Sequence, residues 1–284
     1  DYNGHGTNVA AQVSSRAAAF AGVSSMTTLI GVKVIGASGS GSVIGILRGV
    51  LWAADHGADV ANMSLGGDFA KTGSGRYLGI VNRIFNYANK QGMLIVVAAG
   101  NDAADLDHNA NVHMDYCDQP QVICVAATGP ELATSNPDNS SFFTNFGRSA
   151  ISVAAPGGNA DIAHYDPKTG FPLSKWPWGL DFASWIWSYC SKTTLATDVK
   201  GKLIEPYALA GCQKGNRATL EVGTSQASPH VAGLAALLVA EIGPGRPQQI
   251  KRAIEQSADD LGQPGTDPYY GRGRINVARA LGIQ

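Results

Sequence analysis

The sequence predicts an α/β fold, a doubly wound and mainly parallel sheet with helices on both faces. Three observations carry that prediction. Short apolar runs alternate with helical patterns of about 12 to 16 residues, the rhythm of parallel strands joined by right-handed helical crossovers. The run Met93-Leu94-Ile95-Val96-Val97-Ala98 has no polar alternation, which suits a strand covered on both faces. The 35 glycines in 284 residues supply many tight turns between packed elements.

The elements follow in order. Asn3-Gly4-His5-Gly6-Thr7 opens a helical pattern over 9–20. Residues 29–35 read as a short buried strand, ended by the glycine- and serine-rich 36–41. Ser42 can cap a helix running to about residue 56, with Val43, Ile44, Ile46, Leu47, Val50 and Leu51 at helical spacing. A strand at 59–65 closes on Gly66-Gly67; a helix at 75–90 and strands at 93–98, 122–127 and 151–155 complete the core. Last comes Gly223-Thr224-Ser225, a tight turn before an Ala/Leu-rich helical pattern reaching Ile242. Pro229 is expected in its first turn, where a missing N–H is harmless, and Gly243 marks the stop.

Two segments break the rhythm. Residues 102–118 are acidic and Asn-rich. Residues 158–220 are turn-rich and hold Trp176, Trp178, Trp185 and Trp187, four of the five tryptophans. They read as an insertion within a single domain spanning 1–284, and tryptophan in such a loop more often anchors it to its own core than binds a ligand.

Composition narrows the function classes. With 44% hydrophobic and 15% charged residues, the chain has ample apolar area for one large domain. A net charge of −1 points to neither a nucleic-acid nor a membrane partner. No apolar run approaches the roughly 18 residues of a membrane span, and residues 1–30 lack the basic and apolar regions of a signal peptide. Four cysteines form two local pairs, Cys117/Cys124 and Cys190/Cys212, compatible with two disulfides or with four buried thiols.

Ser225 sits where a helix N-terminus exposes a hydroxyl beside free backbone N–H groups. Alone it would read as a helix cap, His5 as a surface histidine and Asn101 as a turn residue after a strand. In combination they supply what acyl transfer needs: a nucleophile, a base near neutral pKa and a donor aimed at the developing oxyanion.

Asn3-Gly4-His5-Gly6-Thr7 resembles the histidine motif of subtilisin-like serine proteases, and Gly223-Thr224-Ser225-Gln226-Ala227-Ser228-Pro229 resembles their serine motif. Ala98-Ala99-Gly100-Asn101 is similar to the family's oxyanion-hole motif, and Asn62-Met63-Ser64-Leu65-Gly66-Gly67 to its substrate-binding edge. Ala154-Ala155-Pro156-Gly157 and Gly273-Arg274-Ile275-Asn276 match two structural landmarks. One such match is weak; six in family order are specific.

The resemblance implies a serine endopeptidase on a subtilisin-like three-layer fold. His5 would be the base, Ser225 the nucleophile, and Asn101 with the Ser225 N–H the oxyanion hole. Ser64, Leu65 and Gly66 would pair with an extended peptide by β-augmentation. Together with Ala98, Ala99 and Gly100 they would border a slot for an apolar P1 side chain. The alternative is a peptide-binding module on the same fold without turnover. An α/β-hydrolase esterase fits poorly, because Ser225 lacks the G-x-S-x-G elbow and His5 precedes it.

The resemblance further implies a polypeptide substrate, a pro-segment inhibitor, a monomer, a secreted location and disulfides. No cofactor is needed for the chemistry and no metal-site residues are assigned. Structural calcium is common in the family, and Asp105, Asp107, Asn109 and Asn111 alternate like its ligands, but position six of an EF-hand would be Ala110 and position twelve Tyr116. A solvated loop is the preferred reading. The family's triad aspartate closes a strand about 30 residues before the histidine motif, and here His5 is the fifth residue. The expectation is a triad Asp upstream of this chain, with weak or no activity in these 284 residues alone. Asp1 matches the acidic residue before the histidine motif and reads as helix-start charge. Asn8 stands where the family often has His, and Gln226 where it often has Met.

Overall fold

The computed structural model describes residues 1–109, 112–114, 116–131, 136–159, 184–191 and 218–283. Four parallel strands form the central sheet, in the order β1 (Val60–Met63), β3 (Leu94–Ala98), β5 (Val122–Thr128), β6 (Val153–Pro156). Val60 pairs with Leu94, Ile95 with Val122 and Val125 with Val153. Because strand side chains alternate between faces, Ile95, Val97, Cys124 and Ala126 enter one core with α2 (Val43–Asp55) and α3 (Gly75–Lys90). Leu94, Val96, Ile123 and Val125 enter a second core with α1 (His5–Val13), α4 (Thr224–Ile242) and α5 (Pro247–Ser257). This three-layer arrangement is the predicted class, and β5 is buried along its whole length.

Local chemistry fixes several boundaries. Ser42 Oγ accepts the Gly45 N–H at 3.1 Å, the expected cap of α2, worth about 1 kcal/mol. α1 ends at Val13 rather than running to residue 20, because the chain doubles back. The N–H groups of Val23 and Ser24 take the carbonyls of Gln12 and Val13, the last-turn acceptors a helix leaves open. α4 begins at Thr224, so Pro229 lies in its second turn and not its first.

Several further elements escaped the sequence reading. The acidic 102–118 segment contributes β4 (Val112–Met114), antiparallel to β2 (Asp68–Ala70). β7 (Ile186–Tyr189) and β8 (Ala218–Glu221) form an antiparallel pair inside and just beyond the expected insertion. Trp176, Trp178 and Cys212 lie outside the described residues. The short α6 (Val277–Ala280) follows the Gly273–Asn276 landmark, whose Ile275 N–H donates to Ala154 O at 3.0 Å while Gly273 O accepts from Ala154 N at 2.9 Å. The two landmarks therefore meet at β6. Arg274 ties the join by ion pairs to Asp138 and Asp259.

Residues 29–35 do not form the expected strand. They pair with no strand among the described residues, and β1 is the sheet's edge. Val32, Val34 and Ile35 still pack on the α2 side of the core, while Leu29 and Ile30 are 49% and 47% exposed. A run of strand-forming residues needs a hydrogen-bonding neighbour, and here it has none.

Candidate active site

α4 presents Ser225. From Gly223 to Pro229 every residue is buried except Ser225, which keeps partial access. Its N–H is among the first of the helix and has no intrahelical acceptor, and the helix dipole adds partial positive charge there. The C=O of Ser225 would normally accept from residue 229, but Pro229 has no N–H. Ser64 Oγ fills the gap, donating to Ser225 O at 2.8 Å, and lies 2.7 Å from Ser228 Oγ. The displaced proline thus frees a carbonyl that pins Ser64 to the Ser225 turn.

Asn101 follows β3 across a glycine with φ +101°, a conformation that requires Gly100. Its Oδ1 accepts from Thr224 N at 2.8 Å and from Thr224 Oγ1 at 2.9 Å. Thr224 Oγ1 in turn accepts the Gly100 N–H at 3.1 Å. A backbone N–H can only donate, so these bonds decide the amide's orientation and leave Nδ2 as the free donor. A Cβ placed on Gly223 would lie 3.5 Å from that Nδ2, so glycine there keeps the space beside it open. Thr224 was missed by the sequence reading, although its place in Gly-Thr-Ser was the available signal.

His5 is the first residue of α1, after Gly4 with φ +97°. It is half-buried, and burial alone lowers its pKa from the usual histidine value, which keeps the imidazole neutral and able to accept a proton. Among the described residues no carboxylate acts on it. Asp1 is engaged elsewhere, accepting from Gly4 N at 3.1 Å, Thr7 N at 2.7 Å and Thr7 Oγ1 at 2.9 Å. It is the helix-start charge expected of it. α1 lies against α4, with Asn8 bonded to Gln226 at 3.3 Å, so one turn from His5 touches the residue next to Ser225.

Of the substrate-edge residues, Gly66 is exposed with open space where a Cβ would be. Leu65 and Ala98 are partly buried, whereas Ala99 is 1% exposed and sits in the core. No group of three or more His, Cys, Asp or Glu side chains able to hold a metal occurs among the described residues. Asp105 and Asp107 serve their own loop: Asp105 accepts from Asp107 N and His108 N, and Asp107 from Ser149 N and Oγ. Cys117 and Cys124 form a disulfide, and Cys190 is also disulfide-bonded.

A parallel three-layer sheet that offers a helix-borne serine and a fixed asparagine amide belongs to the serine proteases. More narrowly, the subtilase family model matches residues 1–273, and the chain belongs to that family. Thermitase from Thermoactinomyces vulgaris is 31% identical over 283 residues, covering 98% of this chain and 75% of thermitase. Subtilisin DY from Bacillus licheniformis is 29% identical over 282 residues, 99% of this chain and 78% of that protein. Among solved structures, the epidermin leader peptide processing serine protease from Staphylococcus aureus has a TM-score of 0.78 and 23% identity. That match covers 100% of this chain and 63% of the other, and it shows a shared fold.

Proposed function

We propose that this chain is the catalytic domain of a secreted serine endopeptidase. Ser225 attacks the peptide carbonyl, His5 takes its proton and returns it to the leaving amine, and Asn101 Nδ2 with the Ser225 N–H holds the oxyanion. The observation that carries this reading is the pair of hydrogen bonds that Thr224 donates to Asn101 Oδ1, which aims the free Nδ2 beside the Ser225 turn. A cap serine and a turn asparagine would need no such arrangement.

The triad carboxylate in this reading comes from a strand upstream of Asp1. Two features support it: among the described residues, no carboxylate acts on His5 and no strand pairs with the outer edge of β1. These 284 residues alone are then weakly active or inactive, since loss of the aspartate lowers kcat by roughly 3 × 10⁴ in subtilisin. The substrate is an extended polypeptide lying along Ser64, Leu65 and Gly66, with an apolar P1 side chain bordered by Leu65, Ala98 and Gly100. A pro-segment inhibitor, a monomeric state and structural calcium, with ligands unassigned, complete the proposal.

The test is covalent labelling of the full-length protein with a fluorophosphonate. Attachment at Ser225, lost in Ser225→Ala, is the expected result. A folded protein that binds extended peptides but takes up no label would establish the non-catalytic binding module instead.

A further inference from the structure

A seam that an α/β core ordinarily fills with apolar groups is polar here. It lies between α1, α4 and the β7–β8 pair. Asn8 is 0% exposed, Gln226 1% and Gln12 5%. Gln226 Nε2 donates to Glu221 Oε2 at 2.8 Å and to Asn8 Oδ1 at 3.3 Å. Gln12 Nε2 donates to the same Asn8 Oδ1 at 2.7 Å, and Ser188 Oγ of β7 donates to Asn8 O at 2.7 Å. Glu221 ends β8, two residues before Gly223.

The two positions noted in the sequence as departures from the family, Asn8 and Gln226, are therefore one contact. Asn8 is one helical turn beyond His5, and Gln226 follows Ser225 directly. We propose that Asn8, Gln226 and Glu221 are positioning residues, a hydrogen-bond chain that sets the register of α1 against α4 and so the approach of His5 to Ser225. The inference rests on the serine-peptidase reading of the same site.

The physical argument is directional. Apolar contacts between two helices tolerate sliding, whereas a buried hydrogen bond loses its strength within a few tenths of an ångström. Buried polar groups that fix register are the best-attested use of such networks. Stability is not what this one supplies, because Asn8 Nδ2 and Gln12 Oε1 are buried without a partner among the described residues, and an apolar filling would avoid that penalty. Among the described residues no cation offsets Glu221, whose carboxyl is pushed up to about 7 by burial. The titratable groups on the surrounding elements are His5 on α1, His230 and Glu241 on α4 and Tyr189 on β7; both histidines are lowered by burial.

The experiment uses the full-length protein and four forms of it. Gln226→Met keeps the volume and removes both donors, and is expected to lower kcat about tenfold, the scale of a small misplacement of reacting groups. KM stays within about twofold, because no substrate contact is removed, and fluorophosphonate labelling of Ser225 slows in step with kcat. Glu221→Gln keeps an acceptor for Gln226 and retains the parent's kcat. The pair Gln226→Met with Glu221→Met removes the orphaned carboxylate, so Tm returns toward the parent while kcat stays low. If Gln226→Met fails to fold, the pair alone carries the comparison. A pair whose kcat recovers with its Tm overturns the positioning role, as does a Gln226→Met protein labelled at the parent's rate. A parent that takes no label at all overturns the peptidase reading itself, and the inference with it.

Discussion

The starts of α4 and α1, which carry the proposed chemistry, are held by different numbers of contacts among the described residues. At the start of α4, Thr224, Ser225 and Ser228 are tied to Asn101 and Ser64, so the proposed nucleophile and oxyanion donors are held by contacts among the described residues. At the start of α1, Asp1 and Gly4 organise the turn, but His5 has no acidic partner among the described residues. Among the described residues, the strand-like run 29–35 and the outer edge of β1 likewise have no strand partner. The contrast teaches that the Ser225–Asn101 side of the proposed site is held by contacts among the described residues, while its His5 side draws on no carboxylate among them.

The comparison breaks most sharply at its catalytic extremes. In the full-length protein Ser225→Ala should lower kcat by about 10⁶, read by peptide hydrolysis. Asn101→Ala should lower kcat by about 10²–10³ with little change in KM; equal kcat would remove Asn101 from the oxyanion hole. Next comes Glu221, which sharpens the packed half. Its carboxyl is raised from 4.5 to about 7 by burial, so its contribution to stability is fully present below about pH 4.5 and lost as pH rises through about 7. Glu221→Gln should therefore flatten that dependence, removing of order 3 kcal/mol of stability loss between pH 4.5 and 8, as read by chemical denaturation at both pH values. Ser64→Ala leaves the Ser225 carbonyl unpartnered, an expected loss of about 1–3 kcal/mol. The smallest effect falls on residues 29–35: Ile30→Asp, at a 47% exposed position, should change the stability of the 284-residue chain by no more than about 0.5 kcal/mol. In the full-length protein the same change should cost several times that if a strand covers residue 30.

Much of this was legible in the chain. The alternation of apolar runs with helical patterns gave the layers, and Ser42, the 75–90 helix and the run at 93–98 were read at nearly their observed boundaries. α5 went unread although Pro247 at its start and buried Ile250 and Ile254 were available signals. The strand expected at 29–35 failed for a different reason: residue preference makes a segment willing to pair, but pairing needs a second backbone.

What the sequence by itself determined were the residue types and their order: a serine before a long helix, a histidine opening another, an asparagine after a buried strand. These depend on local patterns a few residues long. Only the tertiary structure decided that Thr224 turns the Asn101 amide, that Ser64 answers the carbonyl Pro229 leaves open, and that Asn8 meets Gln226. Each of those bonds joins positions more than 120 residues apart in sequence, and Asn8 and Gln226 are 218 apart. Hydrogen-bond partners are chosen by distance and angle after the helices dock, and no local pattern encodes that choice.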